Sequence, residues 1–127
     1  MDEFGERGSL TWNVIGAAIE VHREMGPGLL ESVYQSCLTE EFKLRKLTCE
    51  PQHRLPIVYK GQTLTDEFVL DFYFPNHLVV ELKTVEKLLP VHEAQLLTYL
   101  KLSNTKLGLI LNFNVPKMKD GIKRLIC

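Results

Sequence analysis

From Ser9 onward the apolar positions Leu10, Val14, Ala17, Ala18, Val21 and Met25 recur at helical spacing, and Gly26-Pro27-Gly28 stops the pattern. This spacing predicts a first helix with Ser9 as its N-cap. A second helix is predicted from after Gly28 to about Lys46, with Leu30, Val33, Tyr34, Cys37, Leu38, Leu44 and Leu47 on its apolar side. Glu31 lies on the flank shared with Leu38 and Phe42, and Glu41 projects still closer to the middle of the apolar arc, so one of the two acids has to be paired or at the helix edge. After a loop containing Pro51, residues 54–60 (RLPIVYK) read as a strand, and Pro56 argues for an edge or early strand position. Lys60-Gly61-Gln62 reads as a turn.

The next stretch, 66–74 (DEFVLDFYF), alternates. Phe68, Leu70, Phe72 and Phe74 should point one way, and Val69, Asp71 and Tyr73 the other. Pro75-Asn76 makes a turn, and 78–83 (LVVELK) follows as a buried strand on which Val79, Glu81 and Lys83 share a face. The two strands should form a hairpin, and its register decides whether the two acids meet. An odd loop centred on Asn76 sets Asp71 opposite Glu81, whereas a two-residue loop separates them. The odd loop is expected. Two carboxylates facing each other across strands repel, and burial deepens the penalty, so a cation between them is the natural resolution.

Pro90 opens a third helix over 90–102, with Val91, Ala94, Leu97 and Leu102 among its apolar positions and with Gln95 and Tyr99 on one face. Residues 106–113 (KLGLILNF) predict another strand, and the basic tail KMKDGIKRLIC ends as a short strand or helix.

Composition narrows the classes. A chain of 127 residues suits a single domain, here 10–127 after a polar, frayed lead-in at 1–9 that does not read as a secretory signal. No apolar run reaches the ~20 residues of a membrane helix, so a cytoplasmic protein without membrane contact is expected. Cys37, Cys49 and Cys127 are widely spaced and form no C-x-x-C pair, which predicts reduced thiols. A net charge of −1 gives no global attraction to nucleic acid. Phosphate binding would then fall to local groups such as Lys43, Arg45 and Lys46, or Lys117, Lys119, Lys123 and Arg124. His92-Glu93 lacks the second histidine of H-E-x-x-H, because position 96 is Leu, and His22, His53, His77 and His92 read as surface or capping residues.

The order helix, strand, strand, strand, helix, strand, with Asp71 on the second strand and Glu81-Leu82-Lys83 on the third, resembles the PD-(D/E)XK nuclease fold. Gly28-Leu-Leu-Glu31-Ser-Val-Tyr34 is similar to the signature of the GxxExxY family within that superfamily, and the likeness extends through PVHEAQLLTYLKL and LGLILNFNV. Leu70 stands where the superfamily name has Pro, which leaves the carboxylate of Asp71 in place. The resemblance implies an α/β (α+β sandwich) protein with a restriction-endonuclease-like αβββαβ core, an extra N-terminal helix and a C-terminal strand or short helix.

On this constellation Asp71 and Glu81 are expected to hold Mg²⁺ or Mn²⁺, joined by the backbone carbonyl of Leu82 and by Glu31. Lys83 is expected to orient water or stabilise the phosphate, and the resemblance implies that Gln95 and Tyr99 face the site. Tyr34 is expected in the core. The implied function is hydrolysis of phosphodiester bonds in DNA or RNA. The alternative is a nuclease-fold module that binds nucleic acid or a protein partner without cutting. A homodimer would let two sites address two strands, although no dimer motif is present.

Overall fold

The Ser9 hydroxyl accepts a hydrogen bond from the Trp12 amide at 3.1 Å, which starts α1, Leu10–Met25. In the computed structural model, which describes residues 4–127, α1 stops at Gly26 and Gly28, with φ of 73° and 91°. Only glycine adopts such angles without strain. Of the lead-in, residues 1–3 lie outside the described residues, and Phe4 packs against the core.

Helix α2, Glu31–Leu44, buries Tyr34, Leu38 and Phe42. These are i, i+4 and i+8, a narrower stripe than the sequence suggested, and Leu30 and Leu44, expected inward, are 74% and 69% exposed at the two ends. Glu41 is the paired acid of the arc. It accepts from Arg45 Nε at 2.8 Å, while Arg45 Nη2 donates to the Gly16 carbonyl at 3.3 Å and so ties α2 to α1.

Strands β1, Glu50–Tyr59, and β2, Gln62–Phe74, form a long hairpin. Lys60 and Gly61, with φ of 49° and 81°, make its two-residue turn, the positive-φ pair that matches strand twist. Both strands begin earlier than the expected 54–60 and 66–74, and β1 ends at Tyr59, with Lys60 in the turn. Pro51 falls inside β1 because β1 is the edge of the sheet and a missing N–H is tolerated there. Strand β3, Leu78–Lys83, pairs antiparallel with β2, and Phe74↔Leu78 leaves Pro75-Asn76-His77 as the odd loop. Helix α3, Pro90–Leu102, then leads to β4, Leu107–Asn112, parallel to β3. A 3-10 turn, Met118–Gly121, and β5, Ile122–Ile126, antiparallel to β4, complete a sheet ordered β1-β2-β3-β4-β5.

The expected α+β sandwich is thus observed, with the tail forming both a helical turn and a strand. One face of the sheet presents Phe72, Val80, Leu82, Leu109 and Leu111 to α1 and α2. The other presents Leu70, Val79 and Ile110 to α3. Helix α3 corrects the sequence reading: Leu96, Tyr99 and Leu100 are buried, while Val91, Leu97 and Leu102 are exposed and Ala94 is too. The helix is apolar nearly all round, and fit decides its orientation. Leu96 sits on Gly108, where an added Cβ would lie 2.9 Å from its Cδ2. No helix among the described residues is long and apolar enough to cross a membrane.

Candidate functional site

Residues two apart on an unbroken strand share a face, yet Leu70 belongs to the core under α3 while Phe72 and Phe74 belong to the core under α1 and α2. The pleat therefore slips at Asp71, and the expected single face of Phe68, Leu70, Phe72 and Phe74 is not observed. On β1 the matching irregularity is Gln52, between the pairs Pro51↔Phe72 and His53↔Leu70, with φ of 51°.

Regular pairing of β2 with β3 ends at Phe72↔Val80. One step further in the same register Asp71 faces Glu81, and there side chains replace the backbone ladder. The Asp71 amide donates to Glu81 Oε2 at 2.8 Å, and the Leu82 amide donates to Asp71 Oδ2 at 2.8 Å. Each carboxylate is held by the other's strand. Two glutamines add to the arrangement: Gln52 Nε2 donates to Asp71 Oδ1 at 3.3 Å and Gln35 Nε2 to the Asp71 carbonyl at 3.2 Å.

Lys83 leaves the same strand two residues after Glu81, and its Nζ donates to Gln95 Oε1 at 3.2 Å. Tyr99, one turn further along α3, is buried with its ring 5.6 Å from that of Phe68. Asn112, paired with Lys83 in the parallel ladder, fixes the chain that runs from Lys83 to α3. Its Oδ1 accepts from the amides of Val85 at 3.1 Å and Asn114 at 3.2 Å, and its Nδ2 donates to the Val85 carbonyl at 2.9 Å.

Glu81 is only 4% exposed. Burial, reinforced by the Asp71 charge, pushes its carboxyl up to about 9, and the Asp71 amide and the Lys83 charge offset only part of this. Asp71 is also raised by burial, against the opposing pull of the Leu82 amide, Gln52 and Lys83. Burial and the Asp71 charge raise Glu31, and burial with the Glu81 and Asp71 charges keeps the Tyr99 hydroxyl protonated beyond its usual range. Two adjoining carboxyls that resist ionisation, with Glu31 acting on Glu81 by charge, form the electrostatic setting a cation relieves. Their all-oxygen chemistry fits a hard divalent ion.

The ligand set is nevertheless looser than expected. Among the described residues no three His, Cys, Asp or Glu side chains are gathered for a metal. Asp71 and Glu81 meet, Glu31 acts on Glu81 through its charge and is itself raised by the charge of Asp71, and the contribution of Leu82 to the cluster is its amide.

Other candidates disperse. Lys123 and Arg124 pair with Ile110 and Leu109, which face opposite cores, so the basic tail is not one patch, and Arg45 is committed to Glu41 and Gly16. His92 Nδ1 accepts from the Leu89 amide at 3.0 Å and caps α3 as expected of a capping histidine. His22 departs from that reading, being buried with Nε2 2.7 Å from the Val115 carbonyl. Tyr34 is fully buried, stacks on Phe113 at 4.4 Å and donates its hydroxyl to the Gly26 carbonyl. Gln35, Gln52 and Asn112 were not singled out in the sequence. Gln35 alone carried a signal, lying four residues after Glu31 on the same helix face.

Compared with models of protein families, residues 8–125 match the PD-(D/E)XK nuclease superfamily. No curated protein matches the chain, and no solved structure does. Since the match runs from the residue before the α1 cap into β5, it takes in the whole sheet and all three helices, and the chain belongs to the PD-(D/E)XK nuclease superfamily.

Proposed function

We propose that this chain is a divalent-metal-dependent nuclease of the GxxExxY kind, with residues 10–127 as a single nuclease-like domain acting on phosphodiester bonds in DNA or RNA. The observation that carries the reading is the pairing of Asp71 and Glu81 where the β2–β3 ladder gives way to their side chains. Membership of the superfamily supports it.

Asp71 and Glu81 would hold Mg²⁺ or Mn²⁺, with Glu31 and the Leu82 carbonyl completing the oxygen set. When bound, the ion supplies Lewis acidity and charge neutralisation at the scissile phosphate. Lys83, held by Gln95, presents its ammonium to the water and to the phosphate oxygens on which negative charge builds. The Tyr99 hydroxyl, kept protonated by its surroundings, is a donor rather than a base. Gln95 positions Lys83, and Asn112 fixes the loop that joins them.

The test is calorimetric titration of Mg²⁺ and Mn²⁺ into the wild type and Glu81→Ala, beside cleavage of a panel of labelled DNA and RNA. Metal binding and metal-dependent cutting that vanish together in the variant are expected. A wild type that binds no metal and cuts nothing rejects the reading. One observation favours the second reading, a binding module that does not cut: Glu81, with a carboxyl titrating at about 9, is neutral at pH 7 and serves the fold as an acceptor for the Asp71 amide without any metal.

A further inference from the structure

Between the end of α2 and the start of β1 lies a cavity of about 320 Å³ whose lining includes Lys43, Lys46, Thr48 and Cys49 and no acid. A lysine in the last turn of a helix is ordinary, since it offsets the C-terminal carbonyls. This pair is set apart by its surroundings. Both lysines are exposed, and neither ammonium makes an ion pair among the described residues. The acids of the same stretch of α2, Glu40 and Glu41, line a cavity on the side of α1 instead. Glu50, at the start of β1, faces His53 Nδ1 at 3.0 Å. Burial and the Glu50 charge push the Cys49 thiol up to about 11, so it adds no negative charge at neutral pH.

The cationic cavity adjoins the catalytic carboxylates along both of its walls. A cavity of about 270 Å³ beside Asp71 is lined by Glu31, Ser32, Gln35 and Gln52. On α2, Thr39 of the cationic cavity donates its hydroxyl to the carbonyl of Gln35 at 2.8 Å. On β1, Pro51 of the cationic cavity precedes Gln52. One groove between α2 and β1 therefore joins the carboxylates to Lys43 and Lys46. Glu31 and Lys43 both lie on α2, about 18 Å apart along its axis at 1.5 Å per residue. A strand at B-form spacing of 3.4 Å covers that length in about five nucleotides. The cavity beside Lys117 and Lys119 borders α1 and the 3-10 turn and shares no lining residue with the carboxylate cavity.

We propose that the groove between α2 and β1 carries the nucleic-acid strand away from the cut, with Lys43 and Lys46 neutralising its backbone phosphates a few nucleotides from the scissile bond. The inference rests on the nuclease reading and deepens it by giving the substrate a path. Such contacts position the strand and carry no sequence information.

The test is fluorescence anisotropy of a labelled single strand of about 12 nucleotides, long enough to fill the groove, in Ca²⁺ to suppress cutting, across a range of salt. It compares the wild type with Lys43→Gln/Lys46→Asn and with Lys101→Gln/Lys106→Gln. Asparagine accepts the backbone of Lys46, whose φ is 59°. Lys101 and Lys106 are exposed before the start of β4, at the opposite end of that strand from the Lys83↔Asn112 pair, and control for the loss of two charges. The groove variant should bind more weakly, with a salt slope shallower by about 0.7–1.4, one or two phosphates' worth. The control should keep the wild-type slope. In Mg²⁺ or Mn²⁺ the groove variant should raise KM with kcat unchanged, as for binding shared by ground and transition states. An unchanged slope, an equal change in the control or an unchanged KM overturns the path and leaves the nuclease reading standing. If no strand is bound and none is cut, the nuclease reading falls and the path with it.

Discussion

Replacing Glu81 with glutamine should make the metal-free protein more stable. The unfolded chain ionises this carboxyl near its ordinary 4.5, whereas the folded protein holds the proton up to about 9. Its stabilising contribution is therefore full below 4.5, declines as pH rises and levels off only above 9. At pH 7 the interval from 4.5, at about 1.4 kcal/mol per pH unit, amounts to a loss of about 3 kcal/mol. Glutamine keeps an oxygen for the Asp71 amide and has no proton to lose. For a chain of this length, about 3 kcal/mol corresponds to a rise in Tm of about 10 °C. Thermal melts in EDTA at pH 5 and pH 8 measure it: the variants should nearly coincide at pH 5 and separate at pH 8, with the wild type lower. Adding Mn²⁺ at pH 8 should raise the wild type alone. Parallel melts at both pH values, or a less stable Glu81→Gln at pH 8, would refute the account of Glu81 as a buried carboxyl held neutral.

Lys83→Met should retain metal binding by calorimetry while cleavage falls by about 10²–10³, the usual loss when one donor to developing charge is removed. Asn112→Ala removes three partly buried hydrogen bonds of a buried side chain and should cost about 2–4 kcal/mol in urea unfolding. Tyr34→Phe deletes only the hydroxyl bridging Leu29 and Gly26, so a loss of about 1 kcal/mol is expected in the same assay.

The legible parts of the structure were those governed by local chemistry. Ser9 and Gly26 mark α1 because caps are chosen by the first and last turn, and the odd loop around Asn76, with φ of 67°, fixes the facing of Asp71 and Glu81. The orientation of α3 was not legible, since Val91, Leu97 and Leu102 are as apolar as Leu96 and Leu100, and only the gap over Gly108 chooses between them. The slip at Asp71 was hidden for a related reason. Alternation assumes an intact ladder, and here two long-range hydrogen bonds from side chains replace it. Gln52 is not legible in the sequence because Pro51 beside it reads as a loop, and only the edge position of β1 admits a proline there.

The crossed hold of Asp71 and Glu81 on each other's strand has a consequence for how such a protein can change over time. Both carboxyls accept backbone amides, so each position must keep an acceptor even where no phosphate is ever cut. A lineage that gave up catalysis could trade Asp71 for Asn or Glu81 for Gln and keep the sheet, whereas Ala at either place would strand a buried N–H. Asp71 and Glu81 thus have a duty as joinery between β2 and β3 that is separate from the proposed metal ligation, and it persists where ligation is given up.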